Sequence, residues 1–145
     1  MTMSKSMPNT AADSSVHVAV GVIRRDGRIL LSRRAANAHQ GGLWEFPGGK
    51  LEPGETLLDG LSRELHEELG ITVQPTDCAP LIKIEHDYGD KQVCLDVCWV
   101  NDFGGQPRGC EGQPVQWVPI AQLNDYPLPA ANAAIVDAIR ASVSV

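Results

Sequence analysis

Glu64, Glu67 and Glu68 crowd one short stretch of this chain, with Arg63 beside them and a fourth acid, Glu55, a little earlier in a Gly- and Pro-rich segment. On an α-helix these three positions come together, and like charges at such spacings repel. An ordinary solvated face spreads its charges, mixes their signs and keeps them opposite the apolar side. Carboxylates gathered at the margin of a buried face call for a cation. Oxygen-only ligands favour Mg²⁺ or Mn²⁺, and these in turn favour phosphate substrates. The bland alternative is a solvated acidic helix.

The element that must carry these acids is legible. Leu57, Leu61, Leu65 and Leu69 recur every fourth residue and Leu58 joins them, which predicts an amphipathic helix. Thr56 is suited to cap its start and Gly70 to end it. Glu68 falls inside the leucine edge. Gly60 projects between Glu64 and Glu67, where open space is expected.

The full spacing says more. Gly49 is followed after five residues by Glu55, and after seven more by Arg63-Glu64-Leu65-His66-Glu67-Glu68-Leu69-Gly70-Ile71. This stretch resembles the Nudix box, the signature of the Nudix hydrolases, at each of its fixed positions. The resemblance implies a divalent-metal-dependent hydrolase of nucleoside diphosphates linked to another group. It gives the metal to Glu64, Glu67 and Glu68, and gives Arg63 and Glu55 mainly orienting and supporting roles in catalysis.

The rest of the chain sets bounds. Its 145 residues suit one domain, expected over 16–145. Residues 1–15 are polar and lack an apolar core, so they predict a disordered leader rather than a signal peptide. The net charge of −6 argues against a duplex-binding surface, though not against a nucleotide, because bound metals reverse the local sign. Cys78, Cys94, Cys98 and Cys110 form no CxxC pair and read as reduced thiols, consistent with a cytoplasmic location. No run approaches a membrane span. A monomer is expected.

Val16, Val18, Val20 and Val22 alternate and predict a strand with one apolar face. Asp26-Gly27 predicts a hairpin turn into a second strand, Ile29 to Arg33. Short strands are expected at Ile71–Val73 and Val115–Val118, and longer ones at Leu81–His86 and around Val93–Trp99. Gln92, Cys94, Asp96 and Cys98 form the small, polar face of that last strand and are expected to border a cavity or loop. A closing helix over Asn132–Ala141 turns Ile135, Val136 and Ile139 inward. The mixed order predicts an α+β fold, a mixed β-sheet with flanking helices. This agrees with the α/β/α sandwich that the Nudix resemblance implies.

Outside the box the chain is similar to the MutT-type 8-oxo-dGTP diphosphatases, from about Val16 almost to the end. Arg33 to His39, Leu43 to Lys50, Glu111 to Pro114 and Pro129 to Asn132 carry that likeness. It implies that Arg34, His39 and the run Glu45-Phe46-Pro47-Gly48 line a nucleotide pocket. It also implies that Asn132 reads the oxidised guanine, and that Glu111 and Gly48 join the metal site. An Asn amide can accept from the N7–H that 8-oxoguanine has and guanine lacks; the plainer role for Asn132 is to cap the closing helix. Cys94, Asp96 and Cys98 depart from the family, which often has aromatics in that strand. The implied reaction is metal-assisted attack of water that releases pyrophosphate, with Glu64, Glu67 or Glu111 as the base. Other nucleoside triphosphates or dinucleoside polyphosphates are alternative substrates, the latter because of Tyr88. A non-catalytic nucleotide- or lesion-binding module is a more remote alternative.

Overall fold

The computed structural model describes residues 15–38 and 41–143. The expected leader, except Ser15, lies outside the described residues. The regular elements in chain order are β1 (Ser15–Arg25), β2 (Arg28–Arg33), β3 (Trp44–Glu45), β4 (Gly48–Lys50), α1 (Leu57–Leu69), β5 (Cys78–Asp87), β6 (Gln92–Val100), β7 (Val115–Pro119) and α2 (Ala133–Val143). Asp26 and Gly27 both take the left-handed conformation, with φ of 54° and 77°. That is what a two-residue turn needs to match the twist of β1 and β2.

β1 is the central strand. Along one side it pairs in parallel with β6, from Ser15↔Gln92 to Ile23↔Val100. Along the other it pairs antiparallel with β4 near its start and with β2 at its end. β5 extends the sheet beyond β6, and β3 and β7 flank β2. The sheet is therefore mixed, as the order of elements predicted.

Two cores form, one on each face. Leu61, Leu65 and Leu69 of α1 pack with Ala19, Ile23, Leu30 and Val100. Ile135, Val136 and Ile139 of α2 pack with Val20, Val22, Leu31 and Val97. Each such side chain contributes about 1.5–3 kcal/mol when fully buried. The expected inward face of α2 is thus borne out. β1, by contrast, is buried on both faces rather than one, because a helix covers each side of the sheet. Cys98, expected beside a cavity or loop, is buried under α1. Ile71–Val73 is not a strand; it makes a single bridge, Thr72↔Gly104. Among the described residues, no helix is long and apolar enough to cross a membrane.

Candidate active site

α1 starts where expected. The Thr56 hydroxyl accepts from the Asp59 N–H at 3.2 Å, and Gly70 ends the helix at φ 72°. On its exposed flank Arg63 gathers the acids. Its Nε and Nη2 donate to the two carboxylate oxygens of Glu55 at 2.7 and 3.0 Å. Nη1 donates to Glu64 at 3.0 Å and reaches Glu67 at 3.4 Å, while Nη2 also donates to the Lys50 carbonyl at 3.1 Å. The guanidinium and the Glu52 N–H hold the Glu55 carboxyl down at about 2. One side chain therefore fixes the preceding loop, the end of β4 and two helix acids. The space expected beside Gly60 is not open: any side chain there would meet Leu51 and Glu55.

Glu68 faces the other way. With Glu111, Glu45, Ser32 and Arg34 it lines a cavity of about 220 Å³. Burial pushes its carboxyl up to about 9, helped by hydrogen bonding to Glu64 and by the charges of Glu64, Glu45 and Glu111. Glu111 is brought here by its loop. The Gln113 amide donates to the Glu68 carbonyl at 2.9 Å and accepts from the Glu111 N–H at 2.9 Å. The Cys110 and Arg108 N–H groups cap the Glu68 and Leu69 carbonyls at 2.9 and 3.0 Å. Helix ends need such donors. The donor set is all oxygen, and crowding by Glu64, Glu45 and Glu111 opposes the charged form of Glu68 until a cation offsets it, so the residues suit a hard divalent cation. As seated, no three acidic, His or Cys side chains among the described residues form a ready ligand set; Arg63 engages Glu64 and Glu67, while Glu64 also hydrogen-bonds Glu68.

A second cavity, of about 360 Å³, lies on the α2 side. Phe46, Gly48, Leu95, Tyr88, Ile135 and Asn132 line it. Arg34 and Glu45 line both cavities, and Arg34 Nη1 donates to Glu45 at 2.7 Å. Burial raises the Glu45 carboxyl, against the opposing pull of Arg34. Gly48 allows the closest backbone approach in this wall; a side chain there would strike the Ala19 carbonyl.

The model for the NUDIX domain matches residues 19–138. The chain belongs to this family. The 8-oxo-dGTP diphosphatase of Escherichia coli K12 is 39% identical over 126 residues, which cover 86% of this chain and 96% of the relative. The CTP pyrophosphohydrolase of the same organism is 36% identical over 126 residues, 87% and 92% of the two chains. A structure from work on MutT of Aliivibrio salmonicida and Vibrio cholerae superposes with a TM-score of 0.78 at 36% identity, covering 88% of this chain and 98% of that one. Nudix hydrolases depend on divalent metals, and this chain is one of them.

This Nudix site brings Glu64 and Glu67 together with Arg63 and Glu55, and brings Glu68 together with Glu111 and, by a hydrogen bond, with Glu64. Glu67 is more exposed than Glu64, at 54% against 16%. Arg34, Glu45, Phe46, Gly48 and Asn132 meet around the larger cavity. Pro47 is buried and its carbonyl accepts from the Gly21 N–H at 2.8 Å, so it serves the sheet. His39 lies outside the described residues. The departures in β6 face away from the larger of these two cavities: Leu95 lines it, while Asp96 points to the other face and approaches His17 Nε2 at 3.2 Å. Asn132 does not begin α2. It closes a 3₁₀ turn, Ala130–Asn132, just before it, and its amide has no hydrogen bond among the described residues. Sequence reasoning gave no role to Gln113; its signal was the set of helix-end carbonyls that α1 had to satisfy.

Proposed function

We propose that this Nudix hydrolase converts 8-oxo-dGTP to 8-oxo-dGMP and pyrophosphate with Mg²⁺ or Mn²⁺, acting as a cytoplasmic monomer that cleanses the nucleotide pool and so limits mutation. The observation that carries this reading is the junction of the two cavities at Arg34 and Glu45. A free Asn132 amide faces one, and crowded carboxylates face the other. The base fits the Asn132 side, framed by Phe46 and Leu95. The triphosphate runs past Arg34 toward Glu68 and Glu111.

Glu64, Glu67, Glu68 and Glu111, with the Gly48 carbonyl, are the groups that would hold the metal. When bound, it neutralises the phosphates and makes water a better nucleophile. Arg63 orients Glu64 through the Glu55 fork. Arg34 neutralises phosphate charge, and Asn132 supplies an acceptor to the N7–H of the oxidised base.

The CTP pyrophosphohydrolase likeness and Tyr88 at the cavity wall support a second reading, action on a broader set of nucleotides. A parallel measurement of kcat/KM on 8-oxo-dGTP, dGTP and CTP with Mg²⁺ separates the two. Release of pyrophosphate with a clear preference for 8-oxo-dGTP is expected. Equal values on dGTP would overturn the substrate while leaving the reaction class in place, and release of orthophosphate alone would overturn the reaction.

A further inference from the structure

At the far end of β2 from the active site the chain sets two like charges side by side. Arg25 and Arg28 are cross-strand partners next to the Asp26-Gly27 turn. Directly opposed like charges destabilise an antiparallel pair. They are unexpected in a chain of net charge −6 that has acids to spare. Arg25 has some compensation: it lies 4.0 Å over the Phe103 ring and 4.0 Å from Asp102. Arg28 has no hydrogen bond or ion pair among the described residues.

The next row on the same face of the sheet holds a ring. Register pairs Arg28 with Pro119 and Leu30 with Trp117 on β7. Paired residues share a face, and so do residues two apart along a strand. Trp117 therefore stands beside the arginine row. It is stacked on Phe103, with centroids 6.3 Å apart and planes at 19°. Arg25, Asp26, Arg28, Gln116, Trp117 and Pro119 line one cavity of about 420 Å³, so a single carboxylate shares it with the two arginines. It shares no residue with either cavity of the active site.

We propose that this cavity is a second binding site, for a nucleoside monophosphate. Its phosphate bridges Arg25 and Arg28, and its base lies against Trp117. Two guanidinium groups face one cavity with Asp26 as its one carboxylate, and Arg28 has no ion pair among the described residues; this asks for an anion, and an indole one row away asks for a planar group joined to it. No carboxylate cluster is involved, so binding needs no metal and is independent of the catalytic reading.

The test is an NMR titration of the full chain in EDTA with GMP, inorganic phosphate and guanosine as separate probes. The Trp117 indole N–H and the amides of residues 25–28 report the proposed site, and the Phe46 amide reports the active site. GMP should shift the first set in a saturable way. Phosphate and guanosine should each bind at least about tenfold more weakly. Arg28→Glu should weaken the Trp117 response by about tenfold or more and leave any Phe46 response unchanged. It should also melt at the same or a higher temperature than the parent, because it replaces a repulsive pair with an attractive one. A Trp117 signal that GMP does not move, or that moves equally in Arg28→Glu, overturns the site. Phosphate or guanosine alone binding as tightly as GMP overturns the nucleotide assignment.

Discussion

Glu55 and Arg63 form a two-pronged pair, with both carboxylate oxygens held by one guanidinium at 2.7 and 3.0 Å. This joins the loop before α1 to the helix that bears the acids. Removing either partner frees Glu64 to reorient. Arg63→Ala and Glu55→Gln should each lower kcat by about 10- to 100-fold, the range for groups that orient a metal ligand. The double variant should be scarcely worse than either single one. Strict additivity in that cycle would show that the two act separately.

The same pair has an acid limit. The Glu55 carboxyl is held at about 2, below its ordinary 4.5, first by the Arg63 hydrogen bonds and then by the Glu52 N–H. A depressed folded value means that its contribution is complete above 4.5 and is lost as pH falls toward about 2. The melting-temperature gap between the parent and Glu55→Gln should therefore be flat from about pH 7 to 5. It should close between 4.5 and about 2. A gap that closes above pH 5 would mean that Arg63 does not hold Glu55 in solution.

Glu68→Gln should cost activity without costing the fold. The substitution removes a carboxyl crowded by burial and by Glu64, Glu45 and Glu111, so the metal-free protein should melt no lower than the parent. Turnover should fall by more than the about 10- to 100-fold of an orienting group. Calorimetric titration with Mn²⁺ should show weakened binding. Near-normal turnover at saturating Mg²⁺ would remove Glu68 from the ligand set.

Gln113→Ala tests the loop that delivers Glu111. Losing the amide leaves the Glu111 N–H without its partner and the Glu68 carbonyl with the Cys110 N–H alone. We expect kcat to fall about 10- to 100-fold with KM little changed. Mn²⁺ affinity should fall as well. Gln113→Glu should not rescue it, because a carboxylate cannot donate to the Glu68 carbonyl. An unchanged Mn²⁺ affinity would mean that the loop positions nothing.

Asn132→Ala should discriminate between bases. An N7–H left unpaired costs about 1–3 kcal/mol. The loss in kcat/KM should thus fall on 8-oxo-dGTP far more than on dGTP. Equal losses would make Asn132 a structural residue of the turn before α2.

What could be read from the sequence was what neighbours in sequence decide. The Thr56 cap, the leucine stripe of α1, the Asp26-Gly27 turn and the inward face of α2 all follow from local spacing. The misreadings came from distant partners. Gly60 looked open because Leu51, from outside the helix, fills the space. β1 looked one-sided because Ala19 and Gly21 are small, although α1 presses on that face. Gln113 was passed over because its carbonyl partner, Glu68, lies 45 residues away. The substrate-class residues emerged only through a family likeness, because a cavity wall built from β3, β6 and the turn before α2 has no sequence period.

The placement of the two helices on opposite faces of β1 and β6 has a consequence for how such a protein can change over generations. The acids proposed to hold the metal hang from α1, while Asn132, proposed to read the base, sits at the threshold of α2. On that proposal, drift in the closing segment would retune which nucleotide is accepted, because it leaves the acidic helix and its arginine clasp undisturbed. The architecture thus separates an inherited chemistry from a negotiable diet.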